Sequence, residues 1–465
     1  MPVRRPVRRK MRGSGTAVGN TAAPVRVLFL AWGYSIHAYR RIRIFAEDPA
    51  FEVAVASPHA YRIPNAETIL LSDEHARKEI SDRLYRRQDY GSAKERYGIL
   101  GANLLRVFNK VRWNHCVAKA LSGVRVKDRS IRKAVLHSSE ILLQVEIAIE
   151  DLRILSAAVA RFRPDVVFLQ TLLYPSFLAY YLQGNMPIIT TIWNGDILWW
   201  AQWSGVERLL KKQLVAHGVR TASMITVNSR SVREECLAYG VPPEKVRLIR
   251  YPGVDRERFR PMPRSEARGA LGISADKVVL CPRGVGGYLN SDVIVEAAPA
   301  ILSHNPDTLF LFLSGVGTEE DRRGHRERAM ALGVGDNFRW EEHVPWESMP
   351  VYYNAADVMV SISSQDSLPN CMLEAMACKI PVVMGDIPSI REWITDGDNG
   401  FLVPPRDPAF LAAAVAKALG ATGEALDALT RKGMEQVERD ADGETNVRRI
   451  KDLVRQVAGA PPAGA

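Results

Sequence analysis

Apolar residues fall in short dense runs separated by amphipathic stretches, and this alternation predicts successive β-α-β units. Val25 to Ala31 (VRVLFLA) reads as a buried strand that ends at Trp32-Gly33, Arg40 to Ala46 as a helix, and Phe51 to Ala56 (FEVAVA) as a second strand. Together they open a doubly wound sheet. Residues from about Leu70 to His137 break the rhythm. They read as helical and basic, with Leu104, Val107, Phe108, Val111 and Trp113 forming an apolar stripe, and they mark an insertion on the first unit. A helix through Glu140 to Phe162 restores the pattern, followed by strands at Val166 to Gln170, Ile188 to Trp193 and Met224 to Asn228.

Tyr251-Pro252-Gly253 and the Pro-rich Arg260 to Arg264 mark a linker. The alternation then starts again, with strands at Val278 to Cys281, Leu309 to Leu313, Asn337 to Glu341, Val358 to Ser361 and Pro381 to Met384. Helices around Leu411 to Leu419 and Thr445 to Val457 close the chain. Right-handed crossovers would make both sheets parallel. Two such halves imply a cleft between them, a common place for a ligand. The expected division is a basic tail at 1–23, a first domain at 24–250 with the insertion at about 70–137, a second domain at 251–421, and C-terminal helices and tail at 422–465.

The chain has 465 residues and is 47% apolar, which is enough for two large cores. No run of about 18 apolar residues appears, so no membrane span is expected. Five scattered cysteines, Cys116, Cys236, Cys281, Cys371 and Cys378, lack zinc-ligand spacing, and a reduced, cytoplasmic setting is expected. Arg4, Arg5, Arg8, Arg9, Lys10 and Arg12 are followed by no apolar stretch, so the start does not read as a secretory signal. Charge is uneven. Residues 76–135 hold 16 Lys/Arg against 5 Asp/Glu, whereas the whole chain is only +10. Such a region suits a phosphate-rich partner, anionic lipid or nucleic acid; a solvated helical face with a disordered arm is the equal alternative.

The most informative stretch is VMVSISSQDSLPNCMLEAMACKIPVVMGDIPSIREWITDGDNGFLVPP, Val358 to Pro405. A strand ends at Ser361, a polar loop follows, and a helix begins near Pro369-Asn370, with Pro favoured in a first turn and Asn at a cap. A helix start offers free N–H groups and a positive dipole end, which suit a diphosphate. Asp366 lies before this helix and Glu374 inside it, so one ligand with two hydroxyl-bearing rings can be gripped twice. Taken singly, Asp366 is an ordinary loop residue and Glu374 a solvated helix residue; their spacing within the flanking pattern favours function.

That pattern resembles the signature of the large retaining glycosyltransferase family with a GT-B fold, glycosyl transferases group 1. Its marks here are Asp366 and Glu374, Ala375 to Ala377, Pro381 to Val383 and Asn399 to Val403, with Lys379 where Gly is usual. Gly240-Val241-Pro242, Gly253-Val254-Asp255 and Phe259-Arg260-Pro261 are similar to its interdomain run, and Trp193 to Asp196 (WNGD) to its first-domain Gly-Asp motif. The resemblance implies two Rossmann-like domains facing each other across a cleft, and transfer of a sugar from a nucleotide-sugar with retention of anomeric configuration. It implies that Glu374 binds the ribose, Asp366 the transferred sugar and Arg283 the departing diphosphate. Backbone around Leu368, Pro369 and Asn370 would touch sugar and phosphates. Gly33 would allow close approach of the first domain, with Asn194 and Asp196 in the substrate-binding motif. His37 reads equally as an acceptor-side residue or as a loop histidine. Trp199, Trp200 and Trp203 read as packing at a helix start, with sugar stacking or lipid contact the alternative.

Several positions depart from the pattern. Asp366 is one methylene shorter than the commoner Glu. Tyr288, Leu289 and Asn290 occupy the stretch where a Lys usually follows the Arg, Trp193 and Asn194 replace a His, and Glu342 replaces a Gly. Asp396-Gly397-Asp398 spells a metal motif but precedes Asn399-Gly400 and a short strand, so it reads as a turn. Gly284-x-Gly286-Gly287 and Gly315-x-Gly317 are only partial nucleotide fingerprints. No metal or cofactor is expected beyond the donor substrate. Expected partners are that donor, a glycan, lipid-linked or small-molecule acceptor, and an anionic membrane face. The alternatives are a non-catalytic nucleotide-sugar-binding protein of the same fold and, less favoured, a basic nucleic-acid-binding protein, for which no reading motif is present.

Overall fold

The computed structural model describes residues 23–31, 36–73, 75–76, 78, 147–172, 176–182, 186–193, 205–313, 315–342 and 344–459. The expected basic tail, nearly all of the basic insertion, Gly33, Asn194, Asp196, Trp199, Trp200 and Trp203 lie outside the described residues.

The first sheet is built from β1 (Val25–Leu30), β2 (Phe51–Ser57), β3 (Ala66–Leu70), β4 (Val166–Leu169), β5 (Ile188–Ile192), β6 (Met224–Val227) and β7 (Val246–Leu248). Its order is β3-β2-β1-β4-β5-β6-β7, and every pairing is parallel. β1, β2 and β4 to β6 follow the apolar runs of the sequence, because both of their faces are covered. β3 was not legible as a strand: it is an edge, and only Ile69 of its five residues is buried. β7, with three residues, is too short to show a period.

The second sheet has β8 (Lys277–Cys281), β9 (Thr308–Phe312), β10 (Phe338–Trp340), β11 (Val358–Ser361), β12 (Val382–Gly385) and β13 (Phe401–Val403), in the order β10-β9-β8-β11-β12-β13, again all parallel. The order reverses between β1 and β4 in one sheet and between β8 and β11 in the other. At such points the helices leave on opposite faces, and a crevice opens at the carboxyl ends of the strands.

The helices that matter for the cleft are α1 (Ile36–Ala46), α2 (Gly205–Thr221), α3 (Arg230–Ala238), α4 (Arg264–Leu271), α5 (Ser291–His304), α6 (Glu319–Ala331), α7 (Met349–Ala355), α8 (Asn370–Ala377), α9 (Pro388–Arg391), α10 (Pro408–Gly420), α11 (Gly423–Asp440) and α12 (Gly443–Val457). The first core gathers Phe29, Phe45 and Phe168, whose rings meet at 5.2–6.2 Å. Into this core α12 drives Ile450, Leu453 and Val454, although it follows the second domain in sequence. Lys451 pins its outer edge to Asp48 at 2.8 Å.

The chain leaves the first domain at Arg250 and returns at Asn446, and the two crossings are bonded side by side. Val254 N–H donates to the Ala441 carbonyl at 2.9 Å, and Gly443 N–H donates to the Val254 carbonyl at 3.0 Å. Arg250 N–H donates to Asn446 Oδ1 at 3.1 Å. Gly253 has a φ of +78°, and a Cβ there would stand 2.6 Å from the Ala441 oxygen. A side chain at this position would force the crossings apart.

Ile450 is fully buried, so Ile450→Ala should destabilise the protein by about 2–4 kcal/mol in urea unfolding. Exposed Arg449→Ala on the same helix should stay within about 0.5 kcal/mol of wild type. Equal effects of the two changes would mean that α12 does not belong to the first core.

Candidate active site

The loop after β8 carries Arg283, and glycines fix its path. Gly284 has a φ of +81°, and a Cβ on Gly315 would stand 2.3 Å from the Arg283 carbonyl oxygen. The two backbones exchange hydrogen bonds, Val316 N–H to Arg283 O at 3.0 Å and Val285 N–H to Val316 O at 2.8 Å. The partial fingerprints of the sequence are thus a loop-to-loop clamp that aims Arg283. Its Nη1 donates to Ser363 Oγ at 2.7 Å and to the Asp366 carboxylate. Burial alone would lower the Arg283 pKa; the Asp366 charge outweighs it and holds the guanidinium above its ordinary value. Asp366 is held in turn by Ser367 N–H on Oδ1 at 2.9 Å and by Ser389 Oγ–H on its carbonyl at 2.6 Å.

Glu374 lies one turn inside α8 and is almost completely buried. Tyr353, from α7, donates its hydroxyl to Oε2 at 2.9 Å, and Arg40, from α1 of the other domain, brings Nη1 to 3.5 Å from Oε1. Burial pushes the Glu374 carboxyl above its ordinary value, against the pull of Arg40 and of the Tyr353 hydrogen bond. The sequence reading of a solvent-facing Glu374 is excluded by this burial.

Pro369 is the cap residue of α8 and Asn370 its first helical residue, and no side chain caps the helix start. The expectation of an Asn cap is corrected here. Asn370 turns outward instead and its Nδ2 donates to Nδ1 of His37 across the cleft at 3.2 Å. Leu368 and Pro369 are buried beneath it. His37 is exposed. Desolvation where the two walls approach, then the charges of Arg41, Arg40 and Arg283, push its pKa down to about 4. A neutral imidazole that accepts at Nδ1 carries its proton on Nε2. Trp193 of the WNGD run is a scaffold: its indole N–H donates to the Gln170 carbonyl at 2.5 Å and the Arg41 guanidinium stacks on it at 4.1 Å.

Further contacts hold the two walls together. Ser367 donates to Asn228 and lies 3.2 Å from Ser229 Oγ. Glu392, just past α9, accepts from the N–H groups of Arg230 and Ser231 at 2.7 and 2.9 Å and so caps α3 of the first domain. Arg40, Tyr353, Ser363, Asn228 and Glu392 were not singled out from sequence. Arg40 lies one helical turn from His37, but nothing local couples it to a residue 334 positions away.

Asp396 and Asp398 form a turn, as expected. Asp396 Oδ1 accepts from Leu402 N–H at 2.9 Å, and Asp398 pairs with Lys432. Among the described residues, no group of three or more His, Cys, Asp or Glu is placed to hold a metal ion.

Residues 277–421 match the family model of glycosyl transferases group 1, and residues 124–258 that of glycosyltransferase family 4. The chain is 36% identical over 230 residues to a D-inositol 3-phosphate glycosyltransferase of Geodermatophilus obscurus, covering 48% of this chain and 50% of the relative. It is 34% identical over 206 residues to the protein of that name in Kribbella flavida, covering 42% and 47%. The chain thus spans about half the length of these curated relatives. In structure it is similar to Anabaena HepE in complex with UDP and glucose, with a TM-score of 0.66 and 15% identity over 93% of this chain and all of the other. It is also similar to sucrose-phosphate synthase of Thermosynechococcus elongatus, with a TM-score of 0.66 and 17% identity over 94% of this chain. The fold is GT-B.

The ionised Glu374 lowers the stability of the fold, because its folded pKa lies above the unfolded value of 4.5. Below that value the carboxyl is protonated in both states, and the wild type suffers no penalty. As pH rises through the folded value the native state loses stability, and above it the deficit is constant. Glu374→Gln should therefore melt higher than wild type at about pH 7.5, and the advantage should shrink as pH falls toward 4.5. A variant that melts lower than wild type at neutral pH would show that the charge is stabilising.

Proposed function

We propose that this chain is a glycosyltransferase that moves a sugar from a nucleotide-sugar donor to an acceptor hydroxyl, with retention of configuration. The observation that carries the reading is a convergence on one crevice. Arg283, Asp366, Glu374 and the uncapped start of α8 meet at the carboxyl edge of the second sheet, opposite His37 and Arg40 of the first domain. The donor would bind with its ribose on Glu374, its diphosphate between Arg283 and the α8 N–H groups, and its sugar toward Asp366. A planar guanidinium and fixed N–H groups stabilise the charge that develops on the leaving diphosphate.

No described residue stands out as a nucleophile. Asp366 is engaged by Arg283, and the Cys371 thiol, in the first turn of α8, is pushed up to about 12, mainly by burial. This supports attack from the face that the diphosphate leaves, with a donor phosphate oxygen accepting the acceptor's proton. The protein would supply position and electrostatics. HepE's complex with UDP and glucose makes UDP-sugars the first donors to try. The relatives' name makes an inositol phosphate the first acceptor, with glycan and lipid-linked acceptors next. The positive charge of residues 76–135 supports work on the cytoplasmic face of an anionic membrane. Co-sedimentation with anionic but not neutral vesicles is expected, and protein left in the supernatant with both would remove that placement.

Purified protein should be stabilised by one class of UDP-, GDP- or ADP-sugar and should release its nucleotide in excess EDTA, since no metal is needed. The product should keep the donor's anomeric configuration by NMR. Arg283→Ala should reduce turnover by about 100-fold or more, and Arg283→Lys should restore little, because the planar fork is lost. Donor binding without transfer would favour a non-catalytic binding protein. Turnover near wild type in Arg283→Ala would give the leaving-group role to another residue.

A further inference from the structure

α1 and α8 meet in register. His37 and Arg40, one turn apart on α1, face Asn370 and Glu374, one turn apart on α8. The Arg40–Glu374 separation of 3.5 Å is an ion-pair distance rather than a short hydrogen bond. Trp346 holds Arg40 as well: the guanidinium stacks on that ring at 4.1 Å, and Arg258 stacks on the same residue at 4.3 Å. The Arg40 side chain is 14% exposed, so it is not sealed in. Arg283 pairs with Asp366 just before α8 and Arg40 with Glu374 one turn inside it, so the two guanidinium groups lie on either side of one helix start.

The second domain places Arg283 beside that helix start, and Arg283 is already paired with Asp366. The stretch that follows it, Tyr288-Leu289-Asn290, brings no second cation. A nucleoside diphosphate bound there would carry at least two negative charges against one shared guanidinium, which leaves charge unmatched in a partly buried site.

We propose that Arg40 is the second cation for the donor's diphosphate, supplied across the cleft by the first domain and parked on Glu374 and Trp346 until a nucleotide arrives. This role rests on the nucleotide-sugar reading of the site. The ribose hydroxyls take over Glu374 by hydrogen bonding, and the guanidinium so released swings toward the phosphates. Because the cation belongs to the other wall, a bound diphosphate also draws the two domains together. The Arg40 pair meanwhile keeps the buried carboxylate partly neutralised.

The test is calorimetric titration of wild type, Arg40→Ala, Arg40→Gln and Arg40→Lys with UDP and with uridine, or with GDP and guanosine or ADP and adenosine if wild type prefers that base. Arg40→Ala and Arg40→Gln should bind the diphosphate about 10-fold or more weakly, as for loss of a charged hydrogen-bond partner. The nucleoside should bind equally well or better, because Glu374 is no longer occupied. Arg40→Lys should recover part of the diphosphate affinity. Equal losses for diphosphate and nucleoside would make Arg40 a structural or ribose-side residue and overturn the role. Unchanged diphosphate affinity in folded Arg40→Ala would overturn it as well, while leaving the nucleotide reading intact. Wild-type protein that binds none of the three diphosphates would overturn both.

Discussion

Every contact across the cleft depends on two chain crossings that lie side by side. Residues 250–254 carry the chain out of the first domain, residues 441–446 bring it back, and three hydrogen bonds tie them together. A single crossing would leave the second domain free to swivel. Two crossings, with α12 buried in the first core, fasten the domains to each other at two points of the chain instead of one. Arg41 reinforces the pivot from the first domain. Its Nη2 donates to the Tyr251 carbonyl at 2.5 Å, while the Tyr251 hydroxyl donates back to the Arg41 carbonyl. Burial lowers the Arg41 pKa to about 10, which still leaves it charged at neutral pH. A buried cation at the pivot is tolerated because Trp193 and Tyr251 present their ring faces to it at 4.1 and 5.3 Å.

Within the cleft, the opposite charges are matched internally. Arg283 lies on Asp366 and Arg40 on Glu374, so each of these buried or partly buried ions has a partner within the protein. An unpaired charge in the same positions would be far more expensive. Such a site exchanges partners on binding rather than gaining contacts from nothing, and the net affinity is a difference between two sets of ion pairs. The arrangement favours ligands that carry both hydroxyls, for the carboxylates, and phosphates, for the guanidinium groups.

The sequence made the architecture legible because parallel strands covered on both faces must be apolar at every position, and such runs stand out against helices of period 3.6. It failed at β3, whose exposed Glu67 and Thr68 follow from its place at the sheet edge. Arg283, Asp366 and Glu374 were legible because a loop, a helix start and a carboxylate one turn on form a local pattern. The partners of Glu374 were not, because the fold brings Arg40 to it from the other domain. Asn370 misled for a similar reason: its residue type suits a cap, but His37 offers its side chain a hydrogen bond that local reasoning cannot see. The role of Gly315 was equally hidden, since it serves the backbone of Arg283 in a different loop.

The start of α3 draws its hydrogen-bond acceptors from two sources. Ser229 serves Val232 and Arg233 from within the helix's own domain, whereas Arg230 and Ser231 are served by Glu392 of the other. The last two amides are therefore shielded only while the walls are together, and their neighbours are not. Deuterium uptake at Arg230 and Ser231, measured against Val232 and Arg233, converts the frequency of domain separation into a ratio of exchange rates within a single turn of helix.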